Sequence, residues 1–214
     1  STSVAAAESV RGIAINSSVA STTYNVHYNT IFLNGTSSGA TFSTAGVFGF
    51  SSGTASTALL NMRNNIIDNE STPVGAGYTA CVRRSAAATN NIGTWNNNLF
   101  YPGDTAATNR YIYTDGTNNY SSLSAYQTAT LRDALSITLQ PNFVNSTTTP
   151  YDLHLRTDFN CSIDGAGNNN GIGLLVDIDN DARRNGTPDF VTDIGADEFD
   201  GTGSGLGVWR GVNS

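Results

Sequence analysis

Arg63-Asn64-Asn65-Ile66-Ile67-Asp68-Asn69-Glu70 is the stretch on which the fold turns. Two asparagines stand directly before two isoleucines. Asn is poor in strands and costs free energy when buried without hydrogen-bond partners, so paired amides against an apolar step need a reason. The chain repeats the arrangement in YNTIFLNG (residues 28–35) and NNNLFYPG (residues 96–103). Aligned on Asn29, Asn64 and Asn97, each Asn is followed by a polar residue and then by Ile31, Ile66 or Leu99. The interval is about 35 residues, a period that marks repeat architectures. The segment between the first two copies, GATFSTAGVFGFSSGTAST (residues 39–57), is rich in Gly, Ser and Thr and alternates as short strands do.

A parallel β-helix accounts for this pattern. Successive coils stack at strand spacing and place equivalent residues above one another. An Asn at a coil corner then bonds to the Asn above and below, since its amide carries two donors and a double acceptor. Ile31, Ile66 and Leu99 are expected to stack beside that ladder as an aliphatic column. The plainer alternative is that the asparagines are ordinary turn residues; their triple recurrence favours the ladder.

The rest of the composition agrees. The chain has 214 residues, enough for one domain with a substantial core, and is 38% hydrophobic but only 13% charged. Disordered chains usually gain charge as they lose apolar residues, so the abundant Ser, Thr, Asn and Gly read as structural. All ten basic residues are Arg. A net charge of −7 and a pI near 4.5 argue against nucleic acid as a partner. No apolar run is long enough for a membrane insertion, and the start, STSVAAAESV, lacks the basic and apolar regions of a signal peptide. Cys81 and Cys161 read as two buried free thiols, with a disulfide as the alternative.

The character changes after Asp115. LSAYQTATLRDAL (residues 123–135) has helical spacing, with Ser122 or Ser124 as the N-cap. The expected organisation is parallel β-helix coils over 1–120, last coils and a C-terminal cap over 121–200, and a linker over 201–214 leading into a following module.

NVHYNTIFLNG, LLNMRNNIIDN, WNNNLFY, SLSAYQTATLRDALSITLQPNFVN, YDLHL and DIDNDARRNGTPDFVTDIGADEF occur in this order. Together they resemble the right-handed parallel β-helix regions of large secreted surface proteins of Bacteroidota, substrates of type IX secretion. The resemblance covers roughly residues 10–200, and DIGADEF (residues 193–199) is its most specific part. It implies an all-β, right-handed parallel β-helix (solenoid) with a short helical segment and a C-terminal cap, at an extracellular, cell-surface location. VWRGVNS (residues 208–214) is similar to the opening of a β-sandwich that often follows. DTA (residues 104–106) resembles a short O-glycosylation signal of that phylum, although three residues also make a plain turn.

The search for chemistry concerns acids. Polysaccharide hydrolases need two or three carboxylates on one face, and lyases need a base with a cation that stabilises the enolate. Residues 1–120 hold only Glu8, Asp68, Glu70, Asp104 and Asp115. Asp68 and Glu70 lie close, but Leu33 and Tyr101 stand at the matching places one repeat away. His27 and His154 read as packed or solvated rather than catalytic. Most of the acids crowd into residues 152–200. There Asp177, Asp179 and Asp181 are spaced like the start of a calcium loop, but Ala182 stands where such a loop wants Gly and Pro188 where it wants an acid. An acid–arginine network of these three with Arg183 and Arg184 is the preferred reading. No cofactor is expected, calcium being the alternative. Tyr24, Tyr28, Tyr101, Tyr111, Tyr113, Tyr120 and Trp95 are candidates for a carbohydrate-binding face, although many must fill the core.

The reading is a non-catalytic structural or adhesive segment of a large secreted protein. Its expected partners are neighbouring domains of the same polypeptide, carbohydrate or another cell-surface protein. The alternatives are a polysaccharide lyase or glycoside hydrolase and a subunit of an extracellular filament.

Overall fold

The computed structural model describes residues 6–16, 19, 21–49, 58–84, 92–183 and 192–201. The strands are β1 (Ala6–Ile15), β2 (Thr23–His27), β3 (Thr30–Leu33), β4 (Phe42–Gly49), β5 (Leu59–Arg63), β6 (Ile66–Asn69), β7 (Thr79–Arg84), β8 (Ile92–Asn96), β9 (Leu99–Tyr101), β10 (Arg110–Thr114) and β11 (Asn119–Tyr120). Helix α1 (Leu123–Thr130) follows, then β12 (Phe143–Asn145) and β13 (Asp152–Leu155).

Left-handed backbone breaks the strands in two at Tyr28, Asn64 and Asn97, with φ of 55°, 59° and 55°. Asn tolerates this conformation; a bulky residue such as Tyr needs outside support. Tyr28 receives it from Arg183, whose guanidinium lies 4.1 Å above its ring. Strands on either side of each corner join different sheets. One sheet runs β2-β5-β8 and another β3-β6-β9, both parallel. A third runs β1-β4-β7-β10-β11, parallel except for the antiparallel β10–β11 pair. β12 and β13 form a separate antiparallel pair.

This arrangement corrects the expected all-β, right-handed parallel β-helix. The described strands lie in four separate small sheets, with parallel, mixed and antiparallel pairing and one helix, rather than in a single solenoid; the architecture is mixed α/β. The sequence period is real, but it specifies local parallel pairing. The left-handed corners divide each repeat among sheets. Beyond Asp115 the pairing reverses at β11 and gives way to α1 and long irregular segments. Ser122 caps α1, as its spacing predicts, but the helix stops at Leu131, which turns left-handed (φ 55°).

The asparagine ladder forms, one residue away from the sequence alignment in the second and third copies. Asn29 Nδ2 donates to Asn65 Oδ1 at 2.9 Å, and Asn65 Nδ2 donates to Asn98 Oδ1 at 2.9 Å. Asn98 Nδ2 then donates to Asp133 Oδ1 at 2.9 Å. The second amide hydrogens of Asn65 and Asn98 reach the carbonyls of Val26 and Met62. Tyr126 of α1 closes the series by donating to Asp133 Oδ2 at 2.9 Å. The registers are thus Asn29–Asn65–Asn98 for the ladder and Tyr28–Asn64–Asn97 for the corners. Asn64 and Asn97 hold another segment: Asn64 exchanges two bonds of 2.9 Å with the Asn168 backbone, and Asn97 Nδ2 donates to Ala166 O.

The same shift moves the aliphatic column. Ile31 pairs with Ile67, which pairs with Phe100, and these fill the main core with Val47, Leu60, Met62, Val82, Trp95 and Tyr113. Ile66 and Leu99 face the other way. They pack with Phe143, Leu155, Ile163 and Ile194 in a second core formed where the C-terminal segment covers β6 and β9. Burying such a side chain contributes about 1.5–3 kcal/mol. Gly195 (φ 105°) permits this approach, since a Cβ there would lie 2.6 Å from Ile66 Cδ1.

Candidate functional site

The acidic C-terminal segment brings together the one group of ionisable side chains, among the described residues, with metal-ligand geometry. It is built on the backbone of residues 176–182. Val176 and Ala182 bridge, the Asp177 N–H reaches Asp181 O at 3.0 Å, and Asn180 turns left-handed. Asp177 organises this turn. Its Oδ1 accepts the N–H groups of Asp179 and Asp181, and its Oδ2 accepts that of Glu198 at 2.8 Å. Three backbone donors thus occupy its carboxylate.

Asp179 points away from that turn toward β13. Its Oδ2 lies 2.8 Å from His154 Nε2. The opposite ring nitrogen, Nδ1, lies 2.5 Å from Asp152 Oδ1, on the same strand two residues earlier. Asp197 approaches from DIGADEF, its Oδ2 accepting the Leu155 N–H at 2.8 Å. One ring nitrogen of His154 and one oxygen each from Asp179 and Asp197 all lie within 4.8 Å of one another. The Asp152 carboxylate holds the imidazole above its ordinary pKa, against a smaller opposing effect of burial. Burial pushes the Asp197 carboxyl up, while the Leu155 N–H draws it down.

Of the sequence-predicted residues, only Asp179 takes part in this group; Asp177 builds the turn and Asp181 supplies its N–H. The ion-pair partner of Arg183 is Glu198, at 3.2 Å, rather than the three aspartates. Arg183 Nη2 also donates to the carbonyls of Gly195 and Ala196. Arg184, Asp189 and the linker residues 202–214 lie outside the described residues. His154, read from the sequence as packed or solvated, sits at the centre of the group. The i,i+2 spacing of Asp152 and His154 was its only local signal.

The carboxylates of the enzyme hypothesis are placed differently. Asp68 is 1% exposed, and its Oδ1 has no hydrogen-bond partner. Burial, reinforced by the Glu70 charge, pushes its pKa up to about 8. A carboxyl enclosed in this way cannot reach a polymeric substrate. Glu70 is half-buried and accepts from Gln140 Nε2 at 2.5 Å. His27 is half-buried, and burial with Arg63 nearby lowers its pKa.

The expected aromatic face is divided. Tyr28, Trp95 and Tyr113 are buried, Tyr113 stacking on Tyr126 at 5.3 Å, whereas Tyr24, Tyr101, Tyr111 and Tyr120 are half-buried. Tyr111 pairs with Tyr78 at 6.3 Å. Thr105 of DTA is exposed in a turn organised by Asp104. Cys81 and Cys161 are both free thiols, but Cys161 is exposed rather than buried. Comparison with protein-family models, curated proteins and solved structures gives no match to this chain.

Proposed function

We propose that this chain is a non-catalytic structural or adhesive segment of a large secreted protein displayed at the cell surface. The observation that carries the reading is the ladder Asn29–Asn65–Asn98–Asp133, in which the distinctive residues of the repeat are consumed in cross-linking strands. A polar network satisfied in this way rigidifies a fold and occupies its own amide and carboxylate groups. The best-placed surface for carbohydrate is the half-buried Tyr78–Tyr111 pair, beside Arg83, whose Nε donates to Tyr78 Oη at 2.9 Å.

The test is incubation of the purified chain with a panel of acidic and neutral polysaccharides. The expected result is no new reducing ends and no unsaturated products, with gel retardation by at least one polysaccharide that Tyr111→Ala weakens. Depolymerisation that Glu70→Gln abolishes would overturn the reading in favour of an enzyme. Peptide mapping of the native polypeptide beyond Ser1 and Ser214, with surface labelling of intact source cells, tests the larger protein and its location.

A further inference from the structure

We propose that His154, Asp179 and Asp197 form a binding site for a divalent cation of the zinc type, with Asp152 as the positioning residue for the imidazole. The first argument is orientation. Asp152 Oδ1 sits against Nδ1 and Asp179 Oδ2 against Nε2, so the ring is held with Nε2 facing Asp179, where a metal ion would replace the Nε2 proton. A carboxylate behind the imidazole is the usual outer support of a histidine that ligates metal.

The second argument is charge. Asp152, Asp179 and Asp197 surround His154, and among the described residues Arg156 pairs with Asp158 and Arg183 with Glu198. One imidazolium does not balance three carboxylates. Asp197 is itself buried, with Oδ2 held by the Leu155 N–H, which leaves Oδ1 for a ligand.

The third argument is distance. Tetrahedral ligands at about 2.0–2.2 Å from zinc lie about 3.3 Å apart. Reaching that geometry requires His154 Nε2 and Asp179 Oδ2 to open slightly from 2.8 Å, with an Asp197 oxygen within 4.8 Å of the other two ligand atoms. The His154 and Asp179 side chains are 45% and 51% exposed, so both can move, and water can fill a fourth position. An imidazole donor selects zinc over calcium, which prefers six to eight oxygens. Asp177, its carboxylate filled by backbone N–H groups, cannot supply the bidentate acid that calcium favours. The ion would join β13, the 177–181 turn and DIGADEF, three segments distant in sequence.

The test is calorimetric titration of the full chain with Zn²⁺ alone, with Ca²⁺ and Mg²⁺ as comparisons and thermal unfolding as a second readout. Saturable binding of one Zn²⁺ per chain is expected, with Tm raised by about 5–10 °C at a hundredfold excess over Kd. His154→Ala and Asp179→Asn should each abolish the saturable heat and the Tm shift. Asp152→Asn should keep the stoichiometry and weaken affinity by about 10–100-fold. Should His154→Ala fail to fold, the exposed Asp179→Asn decides alone. Absence of a one-to-one isotherm, undiminished binding by Asp179→Asn, or a preference for Ca²⁺ would overturn the proposal and leave His154 as an ion-pair residue only.

Discussion

Asn98 Oδ1 accepts two hydrogen bonds from one residue, the Asn65 side-chain amide at 2.9 Å and the Asn65 backbone N–H at 3.1 Å. Asn65 repeats the arrangement toward Asn29, accepting its amide at 2.9 Å and its N–H at 3.1 Å. Each ladder oxygen therefore satisfies a backbone donor at a corner where strand pairing is interrupted.

Asn98→Ala removes both acceptances, frees the Met62 carbonyl and takes one of three side-chain donors from the buried Asp133 carboxylate, which keeps Ser136 and Tyr126. A loss of at least about 3 kcal/mol is expected, since each unsatisfied buried group costs about 1–3 kcal/mol. Urea unfolding measures it. The Asn65→Ala/Asn98→Ala double variant should lose less than the sum of the singles, because both break the same bond. Strict additivity would show that the two residues act independently.

Asp68 should make the protein less stable as pH rises. Its folded-state pKa, about 8, lies above the model-peptide value of 3.8, so the folded state binds the proton more tightly. The contribution is greatest below pH 3.8 and is lost on the way to about pH 8. Asp68→Asn removes the ionisation and should gain on the order of 1–3 kcal/mol relative to the parent at pH 8, compared with the same difference at pH 4. Asp193, raised to about 7 mainly by burial, keeps a residual slope in both proteins. Equal slopes in variant and parent, from urea unfolding across this range, would contradict the assignment.

Gly46 on β4 has no room for a side chain. A Cβ there would lie 2.2 Å from Ile67 Cγ2 and 2.8 Å from Cys81 O. Gly46→Ala should cost about 1–3 kcal/mol through overpacking. Thermal unfolding should show Tm lower by several degrees, roughly 2–4 °C per kcal/mol for a chain of this size. An unchanged Tm would mean that β4 and β6 lie farther apart.

Thiol titration should separate the two cysteines. Cys161 is exposed, whereas Cys81 is 0% exposed and its pKa is pushed well above the usual thiol range by burial and then by Asp68. One equivalent of a thiol reagent should react with the folded chain and a second only in denaturant. Two fast equivalents would contradict the placement of Cys81.

The sequence alone carried the repeat, the ladder and the capped start of α1. These are local or periodic signals: amides recurring at a fixed interval, and a Ser ahead of helix formers. It did not carry the ladder's register, because Tyr28 occupies the corner position that Asn64 and Asn97 occupy in the other copies. A left-handed Tyr is not expected from its residue type, and Arg183, far away in the chain, is what sits over its ring. Nor did periodicity reveal that the strands divide among separate sheets, since the same spacing serves local pairing and a continuous coil alike. The grouping of His154, Asp179 and Asp197 was equally hidden. Its members lie on three segments that meet where Leu155 and Ile194 pack with Ile66 and Leu99 and where Asp177 accepts the Glu198 N–H. Hydrogen-bond capacity and backbone preference belong to residues and can be read in order along the chain. Which distant side chains share a site follows from how apolar surfaces pack, and the tertiary structure decides that.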